Sequence, residues 1–170
     1  MVVASVSSLN LAIPSIQKAL DASASELVWI NAAYALVFAA LLLPGGAIGD
    51  RFGRRGALQI GLIIFIIGAL LGATSSDPFQ LIFFRASMGV GAALVMPATL
   101  SIISVIFPVE ERNKAIAIWS GFAGAGAAIG IIAAGLLLEK FWWGSIFFIN
   151  VPTAGTVSYT HLTLPTIYSV

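Results

Sequence analysis

Charge is scarce in this sequence, and cysteine is absent. Acidic and basic residues make up 9% of the 170 residues, whereas apolar residues make up 59%. A soluble domain carries about 25% charged residues, so a chain with this composition could not cover a soluble surface, and lipid must surround most of it. The lack of cysteine excludes disulfides and thiolate metal sites. The composition predicts an all-α integral membrane protein.

Other features are missing as well. The start of the chain has no basic segment and no small-residue cleavage site, so we predict no signal peptide. The net charge of +1 comes from charges scattered among the loops, which predicts no nucleic-acid partner. The apolar segments contain no nucleophile–base pair and no metal-ligating cluster. We therefore expect no enzyme activity, no cofactor and no metal.

The few charged residues divide the chain into apolar segments of membrane-spanning length. A helix needs about 20 apolar residues to cross the hydrocarbon core. We predict about five transmembrane helices and the start of a sixth near Phe147. The five spans are predicted at about 1–16, 27–48, 57–75, 80–106 and 115–137.

Basic residues are distributed unevenly between alternate loops. The loops near 50–55 and 108–114 hold five Lys or Arg, and the other loops hold only Lys18 and Lys140. Because short loops rich in Lys and Arg stay in the cytoplasm, this bias predicts a cytoplasmic N-terminus. We expect the chain to lie in the plasma (inner) membrane. The bias also places Trp142 and Trp143 at the outer interface, where indole rings are favoured.

One strong base, Arg85, lies inside a predicted span. It is about 9 Å into its helix, where burying a guanidinium costs about 2.5–3.5 kcal/mol. One interpretation is that Arg85 faces a water-filled cavity and binds an anionic group or tunes a carboxylate. The other is that its side chain reaches back to the outer headgroups. The spans contain no Asp or Glu away from their ends.

A charged hinge at 50–55 separates the second and third spans. Asp50 ends a helix, where its charge opposes the negative end of the helix dipole, so it should face an arginine or the N-terminus of another helix. Gly53 permits a tight turn, and Arg54 and Arg55 can pair with acids or lipid phosphates. The alternative is that the arginines serve only as orientation signals.

Small residues recur in two of the spans. Gly126, Gly130 and Gly135 lie in the fifth, and Gly89 and Gly91 lie in the fourth. Small residues at such spacing let helices approach closely in lipid. We predict helix packing at these five glycines.

The segment from Gly46 to Arg55 resembles the loop signature G-x-x-x-D-R-x-G-R-R of the major facilitator superfamily, and it lies between the second and third spans, as in that family. The resemblance is to the drug:proton antiporter branch, the fourteen-span multidrug efflux transporters, and covers about 4–155. Further similar segments are Leu9 to Pro14, Trp29 to Tyr34, Arg85-x-x-x-Gly89-x-Gly91, Gly126-x-x-x-Gly130-x-x-x-x-Gly135 and Ile149 to Pro152.

The resemblance implies that 1–156 form the N-terminal half of a transporter bundle. It implies efflux of a small-molecule substrate by alternating access, with protons as the coupling ion, in a lipid bilayer and together with a missing C-terminal half. The implied gating loop consists of Gly46, Asp50, Arg51, Gly53, Arg54 and Arg55. The residues implied in the cavity or in coupling are Arg85, Asn31 and Tyr34. The alternative function is that of a non-transporting membrane sensor or scaffold that retains the bundle.

The sequence departs from the family pattern at several positions. Ser5 stands where the branch commonly has an acid, Ala32 where a polar group is usual, and Ile131 where proline is usual. These departures leave proton coupling open.

The end of the chain does not continue the apolar pattern. Residues 157–170 are rich in threonine and contain Pro165 and the single histidine, His161. They resemble a translated adaptor or vector sequence more than a transporter span. We predict a non-native or disordered tail over 157–170 and no role for His161.

Overall fold

The computed structural model describes residues 2–148, and every element in that range is a helix. The helices are α1 (Val2–Leu20), α2 (Ala24–Phe52), α3 (Arg54–Ala73), α4 (Pro78–Ile106), α5 (Val109–Lys140) and the short α6 (Ser145–Phe148). The segment Ile149 to Pro152 and the predicted tail over 157–170 lie outside the described residues.

Four of the described helices, α2 to α5, are long and apolar enough to cross a membrane. The predicted first span is also helical, as α1, but α1 is not among those four. Asn10, Gln17 and Lys18 lower its average hydrophobicity. The fold class predicted from the sequence, an all-α membrane bundle, is confirmed.

The helices extend beyond the predicted spans into the charged segments. We predicted a loop over 50–55, but α2 continues to Phe52 and α3 begins at Arg54, so only Gly53 lies between them. Likewise, most of the segment 108–114 belongs to α5. Apolar runs measure the thickness of the hydrocarbon core, whereas a helix can continue into the headgroup region, where charge is well solvated.

Side chains and a glycine define where the helices begin and end. Before α2, the Ser23 hydroxyl and the Glu26 carboxylate form a capping box that satisfies backbone N–H groups at the helix start. Before α4, the Asp77 carboxylate accepts a hydrogen bond from the Gln80 backbone N–H at 2.9 Å. Gly53 has a φ of 104°, a conformation that favours glycine, and it allows the abrupt turn between α2 and α3.

The bundle has two packed groups of helices. In the first, α2 and α3 both pack along α4; in the second, α1 packs along α5. Glycines lie where these helices approach most closely. A methyl group at position 89 would lie 2.7 Å from the Tyr34 carbonyl oxygen, and one at position 91 would lie 2.6 Å from the Gly61 carbonyl oxygen. At position 130 the added carbon would lie 2.9 Å from the Ala4 Cα atom.

The other two predicted packing glycines are placed differently. A methyl group at Gly126 would have nothing within 4 Å among the described residues, and one at Gly135 would make an ordinary contact of 3.7 Å with Leu11. The predicted close packing at Gly126 is therefore not found within residues 2–148. Small-residue spacing shows that a helix can approach closely, but it does not show which glycines another helix reaches.

The tryptophan pair after α5 is divided between two environments. Trp142 is 55% exposed, as expected at an interface, whereas Trp143 is 8% exposed and belongs to the main apolar core. The Trp143 ring meets the Phe147 ring edge to face, with centroids 6.3 Å apart. Trp143 is buried because α6 folds back against α3 and α5. The placement of both indoles at the outer interface stays a prediction.

Candidate functional site

The hinge between α2 and α3 brings Asp50 next to the start of α3. The Arg54 Nε atom donates a hydrogen bond to the Asp50 Oδ1 atom at 3.1 Å. Arg54 is the first residue of α3, where the helix dipole favours a nearby negative charge. Asp50 therefore meets both an arginine and a helix N-terminus.

Arg54 also joins the hinge to α4. Its Nη1 atom donates to the Ser101 carbonyl oxygen at 3.1 Å. The Arg54 side chain is 37% exposed and the Asp50 side chain 63% exposed, and exposed ion pairs contribute at most about 1 kcal/mol to stability. The arrangement orients three helix ends relative to one another, and the exposed Asp50 carboxylate retains surface that another partner can reach.

The remaining members of the predicted gating loop surround this pair. The Arg51 guanidinium lies 5.5 Å from the centre of the Phe52 ring, a cation–π contact. Arg55 is on the exposed side of the first turn of α3. A methyl group at Gly46 would make only an ordinary contact, 3.5 Å from the Pro97 Cβ atom.

Sequence reasoning missed Gly45. A methyl group there would lie 2.5 Å from the Ala93 carbonyl oxygen, so Gly45 is where α2 and α4 approach each other near the hinge. The loop signature fixes only Gly46. The adjacent pair Gly45-Gly46 was nevertheless a signal for close packing in the sequence.

Arg85 lies at the centre of a second cluster, in the interior of the bundle. It is 0% exposed. Its Nε atom donates to the Ile30 carbonyl oxygen at 3.3 Å, and its Nη1 atom donates to the Ser5 hydroxyl at 3.2 Å. The guanidinium also lies 4.6 Å from the centre of the Tyr34 ring. One side chain from α4 thereby contacts α1 and α2.

The role of Arg85 in a cavity or in coupling stays a prediction. Within residues 2–148 its side chain faces no open cavity, because α1 and α2 enclose it. The reason is the close approach at Gly89, one turn along α4, which brings the α2 backbone at Tyr34 against α4. The Nη2 atom of Arg85 has no hydrogen-bond partner within residues 2–148.

Tyr34 closes this cluster from the side of α2. It is 1% exposed, its hydroxyl donates to the Val2 carbonyl oxygen at 3.3 Å, and its ring stacks on Phe38 at a centroid distance of 6.2 Å. Ser5, which the sequence singled out only as a departure from the family pattern, is the hydroxyl partner of Arg85. No local signal in the sequence could join residues 80 positions apart.

Asn31 is not part of the buried cluster. Its Nδ2 atom donates to the Asn10 Oδ1 atom at 3.0 Å, and this amide pair lies on the outer side of α1 and α2. Ala32, the neighbouring departure from the family pattern, is half-buried, and Ile131 is 43% exposed. The structure thus brings Arg85 and Tyr34 together and places Asn31 at a separate polar pair.

Four helices of spanning length, joined by short connections, define a multi-pass membrane bundle. An arginine is buried inside it, against α1 and α2. The sequence profile of the Major Facilitator Superfamily matches residues 1–166. The chain belongs to that family.

Curated relatives include proteins named for drug resistance and for transport. The chain is 43% identical over 145 residues to the methyl viologen resistance protein SmvA of Salmonella typhimurium. These 145 residues are 85% of this chain and 29% of that protein. The multidrug efflux pump LfrA of Mycolicibacterium smegmatis has the same identity and coverage. The riboflavin transporter RibZ of Clostridioides difficile is 38% identical over 144 residues, 85% of this chain and 32% of that protein.

The chain therefore spans less than a third of the length of these relatives.

Proposed function

We propose that this chain is the N-terminal half-domain of a transporter that exports small organic molecules by alternating access. Family membership and relatives named for efflux and resistance support the proposal. The observation that carries it is the hinge, where Arg54 joins the ends of α2, α3 and α4 while Asp50 stays 63% exposed. A signal that only fixed orientation would need no such carboxylate, because the positive-inside effect depends on Lys and Arg.

In the proposed mechanism the hinge holds the two halves of the transporter together on the cytoplasmic side in one of its states. The exposed part of the Asp50 carboxylate contacts the C-terminal half of the transporter in one state and releases it in the other. Arg54 holds Asp50 in place, because its Nη1 atom is fixed to the Ser101 carbonyl group of α4. Opening and closing then move α2, α3 and α4 as one unit.

We also propose protons as the coupling ion. Within residues 2–148 all acids are near helix ends, and Ser5 provides a hydroxyl where the branch commonly has an acid. The carboxylate that carries the proton would therefore belong to the C-terminal half. The membrane we propose is the plasma (inner) membrane, with the N-terminus in the cytoplasm.

The orientation can be tested by cysteine labelling, because the chain has no cysteine of its own. Gly56 is a suitable position, since an added Cβ atom would meet nothing within 4 Å among residues 2–148. In intact cells an impermeant thiol reagent should leave Gly56→Cys unlabelled and should label Ser76→Cys, in the next connection. Labelling of Gly56→Cys from outside would reverse the proposed topology.

Transport itself is tested with Asp50→Asn in the complete protein, which contains this half and its C-terminal partner. Flux, normalised to the amount of protein in the membrane, should fall about tenfold, because a hydrogen bond to a charged group contributes about 1.5–3 kcal/mol. Asp77→Asn is the matched control, because asparagine caps a helix as well as aspartate does and flux should be retained.

Unchanged flux in Asp50→Asn would reduce the hinge to an orientation signal. A complete protein that carries no substrate in any condition would favour the sensor or scaffold instead.

A further inference from the structure

We propose that a chloride ion binds beside Arg85 and Ser5 in the interior of the bundle, as the counter-ion of the guanidinium. This inference goes beyond the proposed transport function, since the ion is a fixed part of the folded helices and is not a transported species. Three observations carry it: a buried charge without an acidic partner, two neighbouring hydrogen-bond donors that lack an acceptor, and an enclosure that admits only a small ion.

The first observation is that the buried charge of Arg85 meets only neutral groups. Its side chain is 0% exposed, and a guanidinium does not lose its proton in proteins. Its partners are the Ile30 carbonyl group, the Ser5 hydroxyl and the Tyr34 ring. The ring offsets part of the charge through a cation–π contact, but none of the three is negatively charged. A buried charge without a counter-charge is strongly destabilising.

The acids of the chain do not supply the missing charge. Within residues 2–148 Arg85 forms no ion pair. On α4 the preceding acid, Asp77, is about 12 Å away along the helix, and its carboxylate caps that helix. On α2 the Glu26 carboxylate accepts hydrogen bonds from the Ser23 backbone N–H and hydroxyl, at 2.8 and 2.6 Å. All acids lie at or next to helix ends: Asp21, Glu26, Asp50, Asp77, Glu110, Glu111 and Glu139.

The second observation is that two donors lie side by side without an acceptor. The Nη2 atom of Arg85 is buried and has no hydrogen-bond partner within residues 2–148. The Ser5 hydroxyl is also buried, and its oxygen accepts from the Nη1 atom at 3.2 Å. Because a hydroxyl can donate as well as accept, its proton is available to a further group. An anion would accept from both donors and also neutralise the charge, whereas a water molecule would only accept.

The third observation is that the site is tightly enclosed. Next to it, α2 and α4 approach so closely that a methyl group at Gly89 would lie 2.7 Å from the Tyr34 carbonyl oxygen. A close-packed interior of this kind has little room for a molecular anion or for a side chain from another part of the protein. A halide is a single atom and accepts hydrogen bonds from any direction. Chloride is the abundant halide, so the ion we assign is chloride.

The test measures thermal unfolding of the purified complete protein while chloride is replaced by gluconate at constant ionic strength. Ser5→Asp puts a fixed carboxylate beside the guanidinium, and Ser5→Ala removes the hydroxyl donor. Ser8→Ala is the matched control. Ser8 is also buried on α1, and in the described part of the chain its hydroxyl bonds only to the Ser5 carbonyl oxygen of its own helix, at 3.4 Å.

We expect the unfolding temperature of the wild type to rise by about 2–4 °C between about 1 and 100 mM chloride, and equally in bromide. Ser5→Ala should need about fivefold more chloride for half of that rise, the effect of one lost neutral hydrogen bond. Ser5→Asp should be insensitive to chloride and at least as stable as the wild type in saturating chloride. Ser8→Ala should depend on chloride as the wild type does.

The position of the ion is tested separately, with crystals of the wild type grown in bromide. Anomalous scattering from the bromide should appear within hydrogen-bonding reach of the Arg85 Nη2 atom and the Ser5 hydroxyl. This measurement needs no variant, so it decides the proposal even where Ser5→Asp does not fold.

Three results would overturn the chloride site. They are a wild type whose unfolding temperature ignores chloride, a chloride dependence that Ser5→Asp retains in full, and wild-type crystals without bromide beside Arg85. None of these measurements involves flux. The proposed transport function is therefore decided independently, by the Asp50→Asn experiment.

Discussion

The interior cluster around Arg85 and the hinge around Asp50 use charge in opposite ways. Arg85 is fully enclosed, and it contacts Ser5, Ile30 and Tyr34 of this chain. Asp50 is largely exposed, and its pair with Arg54 leaves part of the carboxylate accessible. The first charge is enclosed by the helices of this chain, whereas the second keeps an exposed carboxylate surface.

This difference separates two roles for charged residues in a membrane bundle. An enclosed arginine without an acidic partner fixes the relative positions of the helices that it contacts, because an unpaired guanidinium in the interior needs every hydrogen bond it can make. An exposed pair contributes little to stability and is free to exchange partners during a conformational change. We therefore expect changes at Arg85 to affect the bundle and its transport together, and changes at Asp50 to affect transport alone.

The largest effect should come from Arg85→Lys. Lysine keeps the charge but has a single ammonium group, which cannot reach the Ile30 carbonyl group and the Ser5 hydroxyl in the geometry of the guanidinium fork. We expect normalised flux of the complete protein to fall more than tenfold, with a lower melting temperature of the purified protein.

Arg112→Lys is the control for that experiment. Arg112 also donates from Nε to a backbone carbonyl, that of Phe107, but it does so at the exposed start of α5. Flux and melting temperature should change little. If Arg85→Lys were equally harmless, the enclosed cluster would not have the role assigned to it.

A smaller effect is expected from Gly89→Ala. The added methyl group would lie 2.7 Å from the Tyr34 carbonyl oxygen and would push α2 away from Arg85. Overpacking of this kind costs about 1–3 kcal/mol, which thermal unfolding in detergent can detect. Gly126→Ala is the matched change at a glycine where an added methyl group would meet no described residue within 4 Å, and it should leave stability unchanged or slightly raised. Similar unfolding temperatures for the two variants would contradict the packing described for α2 and α4.

Ser5→Ala should have the smallest effect. It removes one neutral hydroxyl partner of Arg85 and leaves the contacts to Ile30 and Tyr34 in place. The expected loss is about 1 kcal/mol of unfolding free energy. Ser7→Ala is the comparison, because in the described part of the chain the Ser7 hydroxyl bonds only to the Val3 carbonyl group of its own helix. A larger loss in Ser7→Ala than in Ser5→Ala would show that the Arg85–Ser5 contact contributes nothing.

Local patterns in the sequence predicted much of the fold. The four helices of spanning length were predicted because long apolar runs have few alternatives in a bilayer. The tight turn at Gly53 was expected from the short connection, and φ is 104° there. The helix ends were misplaced by several residues, because charged residues such as Asp50 and Arg54 continue the helices beyond the apolar core.

Contacts between distant segments could not be predicted in the same way. Arg85 was recognised as unusual, but its partners are 55 and 80 residues away in the sequence. Which glycines meet another helix depends on the rotation of each helix, and this rotation is a property of the whole bundle. For that reason Gly89 and Gly126 have similar sequence surroundings and different environments. The amide partner of Asn31 was likewise not predicted.

The most direct test of the central claim, that the hinge acts on a second half of the protein, is an exchange of the two charges. In Asp50→Arg combined with Arg54→Asp, an ion pair can form again between the same two positions. The account predicts that the doubly substituted complete protein inserts and accumulates normally, but that its normalised flux stays as low as that of Asp50→Asn, because the carboxylate has left the position that contacts the partner half. Flux restored to the wild-type level would contradict the account, since the pair would then act only within this half-domain.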